Sequence, residues 1–169
     1  MIERYSRKEL KDIWSEENKY KIWLEVEIAA AEAMEKFKII PKGVSSIVKK
    51  KGKIKVKRIH DIEAKVKHDV IAFLTSITEQ AGIKARYLHQ GMTSSDVLDT
   101  SFNIQLIQSG KIILKDIDKI LIVLKRQAKK YKMTPCIGRS HGIHAEPITF
   151  GLKLASFYEE FKRNKKRLK

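Results

Sequence analysis

Residues 58–80 read RIHDIEAKVKHDVIAFLTSITEQ, and this stretch decides the fold class. Its larger apolar residues are spaced 3, 4, 4, 3 and 4 positions apart, which is the repeat of one buried face of a helix. These residues are Ile59, Ile62, Val66, Val70, Phe73 and Ile77. Gly82 follows and favours a helix end, because glycine adopts the left-handed conformation of a C-terminal cap at little cost. We therefore predict one helix from Arg58 to Gln80.

The N-terminal part of the chain predicts two more helices. Ser6 followed by Glu9 has the spacing of a capping box, and it predicts a short helix that ends near Trp14. A longer helix is predicted from Glu16 to Phe37, where Ala, Glu and Leu are frequent. The sequence Pro-Lys-Gly at residues 41–43 is expected to close it.

The C-terminal half predicts further helices joined by loops. Ser94 or Ser95 is expected to cap a helix that runs to Ser109, and another helix is expected from Lys111 to Lys132. Pro147 suits the first position of a last helix. The connecting loops are predicted at residues 81–93 and 133–146. Because no segment alternates apolar and polar residues over the length of a strand, the fold class is expected to be all-α with essentially no sheet.

The composition is that of a globular protein with few turns. Of the 169 residues 43% are hydrophobic and 33% charged, with only 8 Gly and 3 Pro, which favours long helices. The single Cys136 forms no internal disulfide, which is typical of a reducing compartment, and we interpret it as a small buried side chain. The polar N-terminus does not resemble a signal peptide, and no apolar run is long enough to span a bilayer. We expect a cytoplasmic protein without a membrane partner.

The net charge of +16 raises the possibility of nucleic-acid binding. However, Lys outnumbers Arg 28 to 8, and recognition of phosphates and bases usually depends on the bidentate Arg fork. The densest basic run, Lys49 to Arg58, contains no aromatic residue for base stacking. We interpret this run as a solvated connector and expect no nucleic-acid partner, although the basic chain would attract a small polyanionic substrate.

Four of the five histidines lie in three short polar stretches, of which residues 67–70 are the first. His68 lies two residues past Val66, so it is expected to point away from the apolar stripe. A lone histidine at such a position is most often a packing residue with satisfied hydrogen bonds. Lys67 and Asp69 beside it favour a functional role. No stretch has two histidines at the spacing of a helical metal pair, so a zinc site stays open but the spacing does not support it.

The other two stretches are polar loops that precede predicted helices. Residues 89–96 read His-Gln-Gly-Met-Thr-Ser-Ser-Asp, and capping explains only one of their three hydroxyls. The free N–H groups of a helix start would suit a carboxylate or phosphate. Residues 138–147 read Gly-Arg-Ser-His-Gly-Ile-His-Ala-Glu-Pro, which holds more titratable residues than a solvated turn requires.

These stretches together resemble the fumarase/aspartase superfamily and, within it, the adenylosuccinate lyases. Ile2-Glu3-Arg4-Tyr5-Ser6 also resembles the nucleotide-contacting start of that family. Each motif alone is weak, but four of them occur in the right order between Arg4 and about Phe161. The resemblance implies an N-terminal helical domain at residues 1–110 and the incomplete beginning of a long-helix bundle at residues 111–169.

The resemblance also implies roles for individual residues. His141 would be the general acid that protonates the departing purine nitrogen, and His68 would lie beside the substrate and support that step. The substrate-binding residues would be Arg4, Tyr5, Lys67, His68 and Asp69 on the nucleotide, Thr93 and Ser94 on the succinyl portion, and His89 and Ser140 in the same pocket.

The family's serine-rich mobile loop, Ser-Ser-x-Met-Pro-x-Lys-x-Asn-Pro, does not occur in this sequence. That loop supplies the catalytic base, so the 169-residue chain alone is expected to be inactive. Two milder departures are Ser140, where Thr is common, and Lys67, where the bidentate Arg is common. The resemblance implies a nucleotide substrate, no metal or organic cofactor, and a homotetramer with active sites shared between subunits.

Two alternatives remain open at this stage. The chain could come from another fumarate-releasing lyase of the superfamily, acting for example on argininosuccinate or a muconate-type acid. It could also be a non-catalytic basic helical module that binds nucleic acid, although this leaves the histidine-bearing loops unexplained.

Overall fold

A computed structural model describes residues 2–169, which are almost entirely helical. The helices are α1 (Lys8–Ile13), α2 (Glu16–Lys36), α3 (Val44–Lys51), α4 (Val56–Val66), α5 (Asp69–Ala81), α6 (Ser94–Lys130) and α7 (Phe150–Leu168). A two-stranded antiparallel hairpin, β1 (Pro135–Ser140) and β2 (Ile143–Thr149), precedes α7. Single 3₁₀ turns lie at Glu3–Tyr5 and Ile83–Tyr87. The all-α class is confirmed.

Internal contacts divide the chain into two units, one that runs to Gln108 and one at Ser109–Lys169. An aromatic cluster joins α2 and α5 in the first unit. Phe73 stacks on Tyr20 with ring centroids 5.9 Å apart, and it meets Trp23 edge-on at 5.5 Å. The Trp23 indole N–H donates to the Ser101 hydroxyl at 3.0 Å, so α6 contacts the same cluster. Burial of these rings contributes most of the local packing free energy.

The predicted helix from Arg58 to Gln80 is wrong in one respect, because it is two helices. Lys67 ends α4 with a left-handed backbone (φ 56°), and His68 caps α5. Ile59, Phe73 and the other stripe residues are buried on both sides of the break, but Val66 beside it is 45% exposed. The stripe continued across the break in the sequence because both helices bury their apolar faces in one core. Gly82 ends α5 as predicted.

Several other boundaries also differ from the prediction. α2 confirms the predicted long helix, but Ser6 does not cap α1, because its hydroxyl donates instead to the Ile2 carbonyl at 2.9 Å. The predicted helices on either side of Gly110 form the single helix α6. The basic run is mostly helical rather than a connector, since its start ends α3 and its last residues begin α4, although its side chains are solvated as expected.

The segment 133–146, predicted as a loop, contains most of the β-hairpin. The strands are largely exposed, so they lack the buried alternate residues from which a strand is predicted. Pro147 therefore lies in β2, and Thr149 rather than Pro147 precedes α7, accepting a hydrogen bond from the Leu152 N–H at 3.2 Å. Within the second unit, Gly151 lies so close to the end of α6 that a Cβ there would approach the Ala128 carbonyl oxygen to 2.5 Å.

No helix of residues 2–169 is long and apolar enough to cross a membrane.

Candidate active site

His89 is the most firmly held of the predicted site residues. Its Nδ1 lies 2.7 Å from Glu27 Oε1, and its backbone N–H donates to Glu27 Oε2 at 2.8 Å. Glu27 lies on α2 and is 1% exposed, whereas the His89 side chain retains 16% exposure. The backbone of His89 is left-handed (φ 62°), which is uncommon for a residue other than glycine. The buried carboxylate therefore fixes both the ring and the turn.

Lys67, His68 and Asp69 form the sharp turn between α4 and α5. The His68 Nδ1 accepts the Ile71 N–H at 3.4 Å, and the Asp69 carboxylate accepts the N–H of the next residue at 2.7 Å. Both acceptors satisfy amides at the start of α5, where the helix dipole also favours a negative charge. With Nδ1 occupied, the Nε2 of His68 remains available to a ligand, and half of the side chain is exposed.

Lys67 also lines an open surface cleft of about 450 Å³ with His60, Glu63 and Ala64. Its left-handed backbone donates to the Glu63 carbonyl at 2.8 Å, so the backbone is fixed while the ammonium group is exposed. His60, which was not predicted to be functional, hydrogen-bonds Glu16 on α2 at 3.0 Å. We interpret the hydrogen bond between His60 and Glu16 as a contact between α2 and α4.

Thr93 and Ser94 lie at the start of the 37-residue helix α6. Ser94 is the first helical residue, so the capping predicted for it or for Ser95 is wrong. Asp96 reaches back instead and accepts the Thr93 N–H at 2.8 Å, which is the reciprocal half of a capping box. The Thr93 side chain is exposed and that of Ser94 half-buried, beside a helix N-terminus that favours anions.

His141 lies at the tip of the β-hairpin. His141 (φ 53°) and Gly142 (φ 75°) are both left-handed and form a two-residue connection, the pattern of a type I′ turn. Ser140 pairs with Ile143 directly below the turn. Gly138 permits the irregular register there, since a Cβ would approach the Glu146 carbonyl to 2.7 Å. The His141 side chain is thus exposed to solvent at the tip of the two-stranded hairpin.

Arg4 and Tyr5 lie in the 3₁₀ turn at the start of the described residues. The Arg4 guanidinium carbon is 4.8 Å from the centre of the Tyr5 ring, within the range of a cation–π contact. The Tyr5 side chain is 74% exposed, so both groups are accessible to a ligand.

The predicted residues thus fall into separate local clusters. The first unit contains Arg4 with Tyr5, the turn at Lys67–Asp69, and the His89–Ser94 segment, whereas Ser140 and His141 belong to the second unit. Glu27 is a residue that the sequence interpretation missed. Its signal was a carboxylate on the helix face of Trp23 and Ala31, four residues away on either side, where an apolar residue is expected. Among residues 2–169, no three His, Cys, Asp or Glu side chains are grouped as metal ligands.

The known proteins whose sequences match this chain are lyases. A family model described as lyase matches residues 3–169. The adenylosuccinate lyase of Thermotoga maritima is 48% identical over 168 residues, which cover 99% of this chain and 39% of that protein. The adenylosuccinate lyase of Bacillus subtilis is 45% identical over 169 residues, covering 100% of this chain and 39% of that protein. This chain therefore spans about 39% of the length of these relatives.

Solved structures give the same architecture. A fumarate lyase from Mesorhizobium sp. BNC1 superposes with a TM-score of 0.87 at 27% identity, covering 94% of this chain and 38% of that one. A 3-carboxy-cis,cis-muconate lactonizing enzyme from Pseudomonas putida gives a TM-score of 0.90 at 26% identity, covering 97% of this chain and 39% of that one.

Proposed function

The chain belongs to the lyase family, and we propose from this premise that its full-length protein is an adenylosuccinate lyase, which releases fumarate from adenylosuccinate and leaves AMP. The observation that carries the proposal is the similarity to two bacterial adenylosuccinate lyases along nearly the whole chain. The same elimination from the succinylated imidazole-carboxamide ribotide would place the protein in purine biosynthesis. The cytoplasm is the compartment we assign to it.

The proposed reaction is a β-elimination. A base removes a proton from the succinyl carbon next to the one that bears nitrogen, and the electrons of that C–H bond form the double bond of fumarate. The C–N bond breaks, and its electron pair leaves with the purine nitrogen. His141 gives that nitrogen a proton, since the nitrogen is a poor leaving group as an anion. The resemblance assigns the base to a serine loop whose pattern does not occur in this sequence.

The exposed position of His141 supports its role as the acid. The side chain is exposed at the tip of the hairpin, and both corners of its turn have left-handed backbone. A general acid must reach the leaving group directly or through one water. Ser140, next to it in β1, is proposed as a binding residue of the same site.

The remaining site residues are proposed to bind the two anionic ends of the substrate. The helix start at Thr93 and Ser94 provides hydroxyls and a favourable dipole for the succinyl carboxylates. Lys67, in the turn between α4 and α5, supplies a positive charge for the nucleotide, together with Arg4. His68, His89, Tyr5 and Asp69 complete the proposed set, with no metal or cofactor.

A homotetramer with shared active sites is also proposed. Large apolar side chains of the second unit are exposed on α6 and α7, and burial against other subunits would remove them from water. They include Ile113, Ile120, Ile122, Val123, Leu152 and Phe157.

The proposal is tested by incubating the full-length protein with adenylosuccinate and measuring fumarate and AMP. We expect equal amounts of both products and competitive inhibition by AMP. The fold similarity to a muconate lactonizing enzyme supports a second candidate function, that of a lyase acting on another dicarboxylate. Turnover of argininosuccinate or a carboxymuconate without inhibition by AMP would favour that candidate, and absence of fumarate release from adenylosuccinate would refute the first.

A further inference from the structure

Glu27 is a fully buried carboxylate on α2, and a charge in such a position is costly unless it is bonded. Both of its oxygens are used by one residue. Oε1 lies 2.7 Å from the His89 Nδ1, and Oε2 accepts the His89 backbone N–H at 2.8 Å. The pair joins residues that are 62 positions apart in the sequence. The helix α2 therefore holds the segment that leads into α6 through this pair.

The pair also determines which nitrogen of the imidazole is free. An ionised carboxylate only accepts hydrogen bonds, so Nδ1 must carry a proton in order to bond it. This is true of both the neutral and the charged ring. The Nε2 is then the ring atom left for a ligand, and the side chain keeps a small exposed surface through which a ligand could reach it.

We propose that Glu27 is a positioning residue for substrate binding. It fixes the proton of His89 on Nδ1, holds the ring by that bond, and holds the left-handed backbone of His89 by the second bond. Through His89 it sets the start of the segment that ends at Thr93 and Ser94. This inference rests on the proposed function, in which His89 lines the substrate pocket, and it adds a residue that does not contact the substrate.

Substitution of Glu27 by glutamine gives a test with almost no change in volume. The amide keeps one acceptor oxygen but replaces the other by a donor N–H₂ group. Whichever way the amide is turned, one N–H group of His89 then faces a donor, unless the ring gives up its Nδ1 proton. We expect Glu27→Gln to move the proton from Nδ1 to Nε2, so that Nδ1 accepts from the amide.

The proton position is measured by solid-state NMR of the full-length protein with ¹⁵N-labelled histidine. The His89 signals are identified as those lost in His89→Gln. Wild-type protein should show a protonated Nδ1, and Glu27→Gln should show an unprotonated Nδ1 with a protonated Nε2. An unprotonated Nδ1 in the wild type, or unchanged His89 signals in the variant, would overturn the proposal.

Kinetics then test whether Glu27 acts through His89. Glu27→Gln is expected to raise the KM for adenylosuccinate at least about tenfold, the scale of one lost hydrogen bond to a charged group, with a smaller effect on kcat. In a His89→Gln background the same substitution should change KM by less than about twofold. Glu25→Gln, an exposed carboxylate of the same helix, is the matched control and should behave as wild type.

The two experiments separate this inference from the proposed function. Glu27 would be only structural in either of two cases. One is a wild-type KM in Glu27→Gln, and the other is an equally large increase in KM when the same substitution is made in the His89→Gln background. If the wild-type protein releases no fumarate, the proposed function fails, and the NMR spectra, recorded without substrate, still decide whether Glu27 controls the imidazole.

Discussion

At the scale of single residues, His141 occupies a backbone position that asparagine would fill at least as well. Asn-Gly is a preferred pair for a type I′ turn, because both residues tolerate positive φ. His141→Asn therefore keeps the hairpin while it removes the proposed acid. We expect kcat for adenylosuccinate to fall by about 10²- to 10⁴-fold, the usual contribution of a general acid, with little change in KM.

The control for this prediction is His60→Asn, which alters an exposed histidine of α4 that is bonded to Glu16 and assigned no role in the reaction. It should leave kcat within about twofold of wild type, since its exposed imidazole lines the surface cleft of Lys67 but takes no part in the proposed proton transfers, and exposed substitutions usually have small effects. Wild-type kcat in His141→Asn would contradict the assignment of the acid.

The sequence predicted these site residues from local clusters of His, Arg, Ser and Gly, and the resemblance gave them roles. The sequence could not predict which other residues hold these side chains in place. Glu27 holds His89 across 62 residues, and no local pattern contains such a contact. The capping role of His68 was also missed, because the apolar repeat continued through the turn and no glycine or proline marked it. Residue types near the chemistry are thus easier to predict than the residues that position them.

At the scale of elements, Glu35 of α2 caps the neighbouring helix α3. Its Oε1 accepts the Ser45 N–H at 2.7 Å, and this bond holds the pKa of the Glu35 carboxyl below its ordinary 4.5. A depressed folded-state pKa means that the stabilisation is fully present above the ordinary value. It is lost as the pH falls through the lower, folded-state pKa.

Glu35→Gln is therefore expected to lower the free energy of unfolding near neutral pH by about 0.5 kcal/mol, at the low end for a cap because the carboxylate is well solvated. The difference from wild type should shrink as the pH falls below about 4.5. Urea unfolding followed by circular dichroism at several pH values measures it. A difference that is the same at acidic and neutral pH would contradict the prediction.

Two helical glycines, Gly151 of α7 and Gly110 of α6, are expected to respond in opposite ways to substitution by alanine. In Gly151→Ala the new Cβ would lie 2.5 Å from the Ala128 carbonyl oxygen and 2.6 Å from the Lys132 Cα, so α7 must move away from the end of α6. We expect a loss of about 1–3 kcal/mol in the free energy of unfolding, the usual cost of overpacking. Thermal unfolding of the purified protein measures this loss.

Gly110→Ala is the matched control, because this glycine lies within α6 and a Cβ there meets nothing within 4 Å. Alanine should stabilise the helix by up to about 1 kcal/mol, since it loses less backbone entropy than glycine. If Gly151→Ala is as stable as wild type, the start of α7 does not approach the end of α6 as closely as described.

Several helices were predictable from composition, from residues that start or end helices and, at residues 58–80, from the spacing of apolar residues, because a helix that buries one face must repeat with its own period. α2 agrees with its predicted range within one residue. The hairpin was not predictable in this way, since its strands are exposed and carry no buried alternate residues. Its turn pair is His-Gly rather than Asn-Gly, so the strongest local signal for a hairpin was also missing.

At the scale of the whole molecule, the 169-residue chain alone is predicted to be inactive. The chain spans about 39% of the length of its adenylosuccinate lyase relatives, and the serine-loop pattern that resemblance assigns to the base is not in its sequence. Without a base the proton on carbon stays in place, and protonation of nitrogen by His141 cannot complete the elimination. We expect kcat/KM for adenylosuccinate to be lower than that of the full-length protein by about 10³-fold or more.

The measurement compares fumarate release by the two proteins at equal concentrations of subunits, with a circular dichroism melt to show that the short chain is folded. Full-length His141→Asn is a useful companion, since it keeps the proposed base and lacks the proposed acid. If subunits share active sites, a mixture of the short chain with this variant should recover activity that neither has alone, because one supplies the acid and the other the base. Turnover by the folded short chain within about tenfold of the full-length protein would contradict the division of acid and base between different parts of the protein.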